Sequence, residues 1–202
     1  MNEKVQNTIR NLILNGFSVR YFENGGDAGD TLLGSIDVSE SVGIGGSVTL
    51  TDLGIYNRLK QRGNQVHWHG APGTDKKKAL AAAATADVYL SGTNAVTEDG
   101  RLINIDGTGN RLSSLLFGHD RIYIIVGVNK ISRNYEEAMI RIKNVVCPQN
   151  TERLGLDTPC RHLGKCTNCD SPQRICNATL ILDRQPAAVK INIFLINENL
   201  GY

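Results

Sequence analysis

Ile122-Tyr123-Ile124-Ile125-Val126 is the strongest strand signal in the chain, a run of β-branched and aromatic residues closed by Gly127. Behind it, Tyr135 to Val146 reads as a helix with Glu early and Lys and Arg late, as the helix dipole favours. Ahead of it, Gly109 to Phe117 also reads as a helix. Working outward, Phe17–Phe22, Val42–Gly45, Gln65–His69, Val88–Leu90 and Arg101–Ile105 read as further strands. Helices are expected over Val5–Ile13 (stopped by Gly16), from the Gly45 turn to about Lys60, and over Lys76–Ala86. Strands alternating with helices imply an α/β fold, a mostly parallel sheet with helices on both faces. Ala178–Asp183 and Val189–Ile196, separated by Gln185-Pro186, are expected to form a terminal antiparallel hairpin.

With 202 residues, one domain spanning the whole chain is expected, and it can bury a sizeable core. The balance of 22 Lys plus Arg against 20 Asp plus Glu is too even for a nucleic-acid-binding or membrane-surface protein. Aromatic residues at 5% argue against a base-stacking platform. No apolar run is long enough to span a bilayer and no secretory signal is visible, so a cytoplasmic location with reduced thiols is expected.

Ligands of open α/β sheets bind beyond the carboxyl ends of the strands, and four segments are expected there. Gly45-Gly46-Ser47 leads into a helix with a Thr49/Asp52 capping pattern and suits an anionic group, though its spacing is not a dinucleotide fingerprint. Asn94 lies in a polar stretch that also carries Glu98, Asp99 and Gly100, where Asp99-Gly100 is the natural turn. Asp106, Gly109 and Asn110 form a third segment, and Lys130 ends the most apolar strand. Glu98 and Lys130 are the expected acid–base pair, converging on a small anionic ligand held by the other segments. His67 and His69 are read as packed or surface histidines, and Lys76-Lys77-Lys78 as a solvated helix face.

Cys160, Cys166, Cys169 and Cys176 form a C-x5-C-x2-C-x6-C array inside a Cys-rich segment, 147–177. In a reducing compartment such clustering points to a metal site, and zinc and an iron–sulfur cluster both accept four thiolates. Cys147, before Pro148, reads as a small apolar residue at a helix end.

Ser41–Leu50, Asn94–Gly100, Ile105–Arg111, Gly127–Ile131 and the Thr158–Cys176 array together resemble the LUD-domain, or lactate-utilization, family over essentially the whole chain. Here the array resembles that of a subset carrying C-terminal cysteines. The resemblance implies a fold related to the sugar-phosphate isomerase and CoA-transferase group. It also implies a place in L-lactate oxidation to pyruvate beside iron–sulfur partner proteins, which favours a 4Fe-4S cluster over zinc. A small-molecule enzyme of the isomerase or CoA-transferase type, acting on an acyl or phosphorylated ligand with a structural zinc, is the second expectation.

Overall fold

The computed structural model describes residues 1–202. The helices are α1 (Glu3–Leu14), α2 (Gly25–Gly34), α3 (Val48–Asp52), α4 (Ile55–Arg62), α5 (Lys76–Ala83), α6 (Asn110–Ser114), α7 (Tyr135–Arg141), α8 (Cys147–Arg153) and α9 (Pro159–Leu163). The strands are β1 (Ser18–Phe22), β2 (Val42–Ile44), β3 (Val66–Trp68), β4 (Val88–Ser91), β5 (Ala95–Thr97), β6 (Leu102–Asp106), β7 (Arg121–Gly127), β8 (Ile131–Ser132), β9 (Ala178–Leu182) and β10 (Lys190–Ile196). Six strands make one sheet in the order β1-β10-β7-β4-β2-β3, with every pairing parallel. A second, mixed sheet runs β8-β5-β6-β9.

The unbroken apolar runs of β7 and β10 follow from burial on both faces. Ile122, Ile124 and Val126 of β7, with Ile191, Ile193 and Leu195 of β10, enter the core shared with α1 and the second sheet. Tyr123, Ile125, Phe194 and Ile196 point the other way, into the core built with α2, α3 and α4. The far side of the second sheet packs Ala95 and Ile103 against Ala138, Ile142, Val146 and Cys147 of the α7–α8 region. The result is an α/β architecture with a parallel sheet covered on both faces.

Three expectations need correction. β9 and β10 are not a hairpin: β9 pairs antiparallel with β6, while β10 inserts in parallel between β1 and β7. β10 is apolar on both faces and belongs at a sheet centre, whereas β9 is half exposed and suits an edge. The helix expected to reach Lys60 is split into α3 and α4 at Gly54, which adopts φ +62. The helix expected to end near Val146 continues through a π-helical turn, Ile142–Val146, into α8, so Cys147 lies inside a helix.

Candidate functional site

Along the sequence the chain passes from β2 to β3 on one side, then crosses back to place β4 on the other side of β2. That reversal opens a crevice beyond the carboxyl ends of β2 and β4, the position at which open α/β sheets bind ligands. A cavity of about 200 Å³ lies there, lined among others by Gly46, Ser47, His69, Asn94, Asp106, Asn110, Arg111, Lys130, Arg153 and Tyr202. The loops after β2, β4 and β6 supply its walls, and the 3₁₀ turn after β7, Val128–Lys130, supplies the lysine.

Its electrostatics are cationic. Arg111, 8% exposed, donates to Asn94 Oδ1 at 3.0 Å and to the Ile105 carbonyl at 2.8 Å, bonds Asn104, and lies 3.5 Å from Asp106. Burial works against its charge, while Asp106 supports it. Asp106 is itself committed, since its other oxygen accepts from the Thr108 and Gly109 amides at 2.9 and 3.1 Å. Lys130 is 5% exposed and donates to Thr49 Oγ1 at 3.0 Å. No carboxylate lies in salt-bridge range of it. Burial, with Arg141 and Arg111 nearby, brings its ammonium down to about 8, only partly opposed by Asp52. Arg153 donates to the Tyr202 hydroxyl at 2.8 Å and to Asn150 Oδ1 at 2.7 Å. His69 has a buried Nδ1 without a hydrogen-bond partner, and burial with nearby Lys76 lowers its pKa below the usual imidazole value, so the ring is neutral at pH 7.

A second, much smaller cavity is lined by all five cysteines, Cys147, Cys160, Cys166, Cys169 and Cys176, together with Thr151, Thr158 and Arg174. The Asn168 amide donates to Cys166 Sγ at 3.3 Å, and Arg174 donates to Cys176 Sγ at 3.3 Å and to the Cys169 carbonyl at 2.8 Å. The Thr158 and Thr151 hydroxyls lie 3.3 and 3.6 Å from Cys160 Sγ. No three side chains of ligand type sit close enough to hold one ion. The site is rich in thiols, with a backbone N–H beside the Cys166 sulfur and a guanidinium beside the Cys176 sulfur, donors of the kind that stabilise thiolates. Ile175 belongs to the walls of both cavities. On the shared helical stretch, Val146, Asn150 and Arg153 face the cationic cavity, while Cys147 and Thr151 face the thiols.

The model of the LUD domain matches residues 5–196. This chain belongs to the LUD domain family. A solved structure described as a DUF162 family protein from Deinococcus radiodurans is similar to this LUD domain with a TM-score of 0.51. The two share 12% identity, with 95% of this chain and 96% of that one covered, and the likeness concerns the fold. No curated protein matches the sequence.

Within this LUD domain the cavity gathers Gly46, Ser47, Asn94, Asp106, Asn110 and Lys130. Gly45 lies just behind the wall, its amide donating to the Leu90 carbonyl at 2.9 Å, and Gly109 caps α6 with φ +87. Ser47, rather than Thr49, is the N-cap of α3: its backbone is extended and its hydroxyl accepts from the Leu50 amide at 3.3 Å, while Thr49 lies inside the helix and accepts from Lys130.

Glu98 does not converge on the site. Asn94 precedes β5 and Glu98 follows it, and four residue steps at about 3.3 Å each carry the chain roughly 13 Å away. There the Glu98 carbonyl accepts from Asn11 Nδ2 at 2.6 Å and its amide donates to the Ser132 carbonyl at 2.9 Å. Asp99 closes the β5–β6 turn and pairs with Arg101 at 3.1 Å. His69, Arg111 and Arg153 were not among the residues expected from sequence. His69 was legible only as half of His67-Trp68-His69, since nothing in the sequence shows that β3 ends beside the β2 loop.

Proposed function

We propose that this LUD domain is a component of L-lactate oxidation to pyruvate. The cationic cavity binds the small acid, and the adjoining thiols hold an iron–sulfur cluster. One observation carries the reading: a cationic cavity containing a neutral imidazole and a five-thiol cavity share the Ile175 wall. The positive field of Arg111, Arg153 and Lys130 gathers a carboxylate. His69, neutral and in the wall of the cavity, accepts the proton of a 2-hydroxyl group. Tyr202 and Asn150 fix Arg153, which limits the ways a small acid can sit. Cys160, Cys166, Cys169 and Cys176 are the ligands of the cluster, which when bound supplies one-electron redox capacity. Iron–sulfur partner proteins would pass those electrons on.

Anaerobic purification followed by iron and sulfide analysis, then titration with L-lactate, tests this. Expected are iron and sulfide in near-equal amounts and a change in the cluster's absorption or electron paramagnetic resonance spectrum as lactate binds. A colourless, zinc-loaded protein indifferent to lactate overturns the reading and points to a small-molecule enzyme with a structural zinc.

A further inference from the structure

Lys130 is unusual among the side chains of the cationic cavity in being a cation that can lose its charge. Arg111 is locked by Asn94, Asn104, Asp106 and the Ile105 carbonyl, and Arg153 is held by Tyr202 and Asn150. Both remain charged at any ordinary pH. They supply the fixed positive field that a carboxylate needs without Lys130. Lys130 has been placed differently: it is nearly fully buried and faces the cavity, and its one hydrogen-bond partner is a hydroxyl. A lysine placed so among other cations is poorly suited to be a mere counter-ion and well suited to be a nucleophile.

We propose that Lys130 Nζ forms a reversible imine with the carbonyl carbon of a 2-oxo acid bound in this cavity. The inference rests on the reading of the cavity as the site of a small carboxylic acid, and it adds covalent capture of the oxo form. In the step, the neutral amine attacks C2 of the oxo acid, and the C–N bond forms as the carbonyl oxygen takes a proton. The carbinolamine then loses water to give the protonated imine, with no change of oxidation state. Burial and the neighbouring Arg141 and Arg111 favour the neutral amine, with Asp52 opposing them, and neutral His69 lines the same cavity as a proton carrier for the dehydration. A 2-hydroxy acid occupies the same place but has no carbonyl carbon to attack. Lys130 therefore distinguishes the two members of a hydroxy-acid/oxo-acid pair by bond formation rather than by shape.

The test is to incubate the intact, anaerobically purified protein with pyruvate and cyanoborohydride, which reduces imines to stable amines, and to map the adduct by peptide mass spectrometry. Pyruvate binding to untreated protein is measured in parallel by calorimetry. Expected is one reduced pyruvyl group on Lys130, in roughly tenfold or greater excess over Lys76, Lys77 and Lys78, whose amines lie on an exposed helix face. Excess L-lactate should suppress the adduct without itself being trapped, and Lys130→Arg should bind pyruvate without trapping it. Should Lys130→Arg fail to fold, the wild-type peptide map decides alone. Pyruvate that binds with no adduct on Lys130, or labelling spread evenly over surface lysines, overturns the imine and leaves the acid site standing. Pyruvate that neither binds nor is trapped overturns both.

Discussion

The cationic cavity and the thiol cavity share a wall at Ile175, yet they are made of different material. The first stands at the ends of β2, β4 and β7, strands buried on both faces, and its Arg111 is tied down by four separate groups. The second is carried by α8, the five-residue α9 and a stretch from Gly164 to Asn177 without regular structure. Cys166, Cys169 and Cys176 are partly exposed, and only Cys147 and Cys160 are buried. Burial and the neighbouring thiols hold the Cys147 thiol neutral, pushed up to about 12. The sheet and the bonds around Arg111 fix the shape of the cationic cavity. No residue from Arg161 to Asn177 is buried, so a group held by the thiols would supply much of the order of this segment.

The strongest way to break this contrast is Cys166→Ser. It should strip most of the bound iron and lower the stability of the metal-loaded protein by about 3 kcal/mol, roughly 10 °C in melting temperature. Hydrogen exchange should rise across 147–177 while β7 and β10 stay protected. Full iron content with unchanged melting would show that the thiol segment needs no bound group.

Lys130→Met should have the opposite sign on stability. The Lys130 pKa is about 8 in the folded protein against 10.5 for a free lysine, so the unfolded chain binds more protons between those values. The penalty is fully present below pH 8 and fades as pH rises toward 10.5. The variant should therefore gain about 2 kcal/mol at pH 7, narrowing to near zero at pH 10.5, while losing pyruvate capture. Denaturant titrations at both pH values check this, and a destabilised variant at pH 7 would mean that Lys130 is a structural pair after all.

Gly43→Ala probes the sheet beneath the cationic cavity. Its Cβ would lie 2.5 Å from the Ala83 carbonyl oxygen and 2.9 Å from Tyr89, so α5 must shift away from β2. A loss of about 1.5 kcal/mol with weakened acid binding and unchanged iron content is expected. Iron loss in this variant would show that the two cavities are mechanically coupled.

Glu98→Gln should have the smallest effect, within about 0.5 kcal/mol, because no side-chain bond is made there and only its backbone is used. Loss of acid binding in a folded Glu98→Gln protein would contradict the placement of the site.

The same contrast explains what could be read from the sequence. β7 was legible because burial on both faces leaves an unbroken apolar run, and the crevice beyond its end follows from α/β geometry. β5 and β8, of three and two residues, are too short to show periodicity, so the second sheet was invisible and with it the direction that removes Glu98 from the site. Gly46, Ser47, Asn94 and Lys130 were legible from strand ends, whereas Arg111, Arg153 and His69 reach the cavity through tertiary packing of α6, α8 and β3. The cysteine array was visible as spacing, but Cys147 joined it only through the π-turn Ile142–Val146, which no residue pattern announces.

β10 lies between β1 and β7, yet it follows every other strand along the sequence. A ribosome making this protein thus emits the strands on either side of a gap long before the strand that fills it. Until residues 190–196 emerge, β1 has no neighbour and β7 keeps one open parallel edge. Completion of the sheet waits on its last strand, and the β1–β10 pairing links segments about 170 residues apart. A nascent chain stalled before residue 190 presents two unsatisfied edges at once, the kind of species that chaperones hold and that otherwise aggregates.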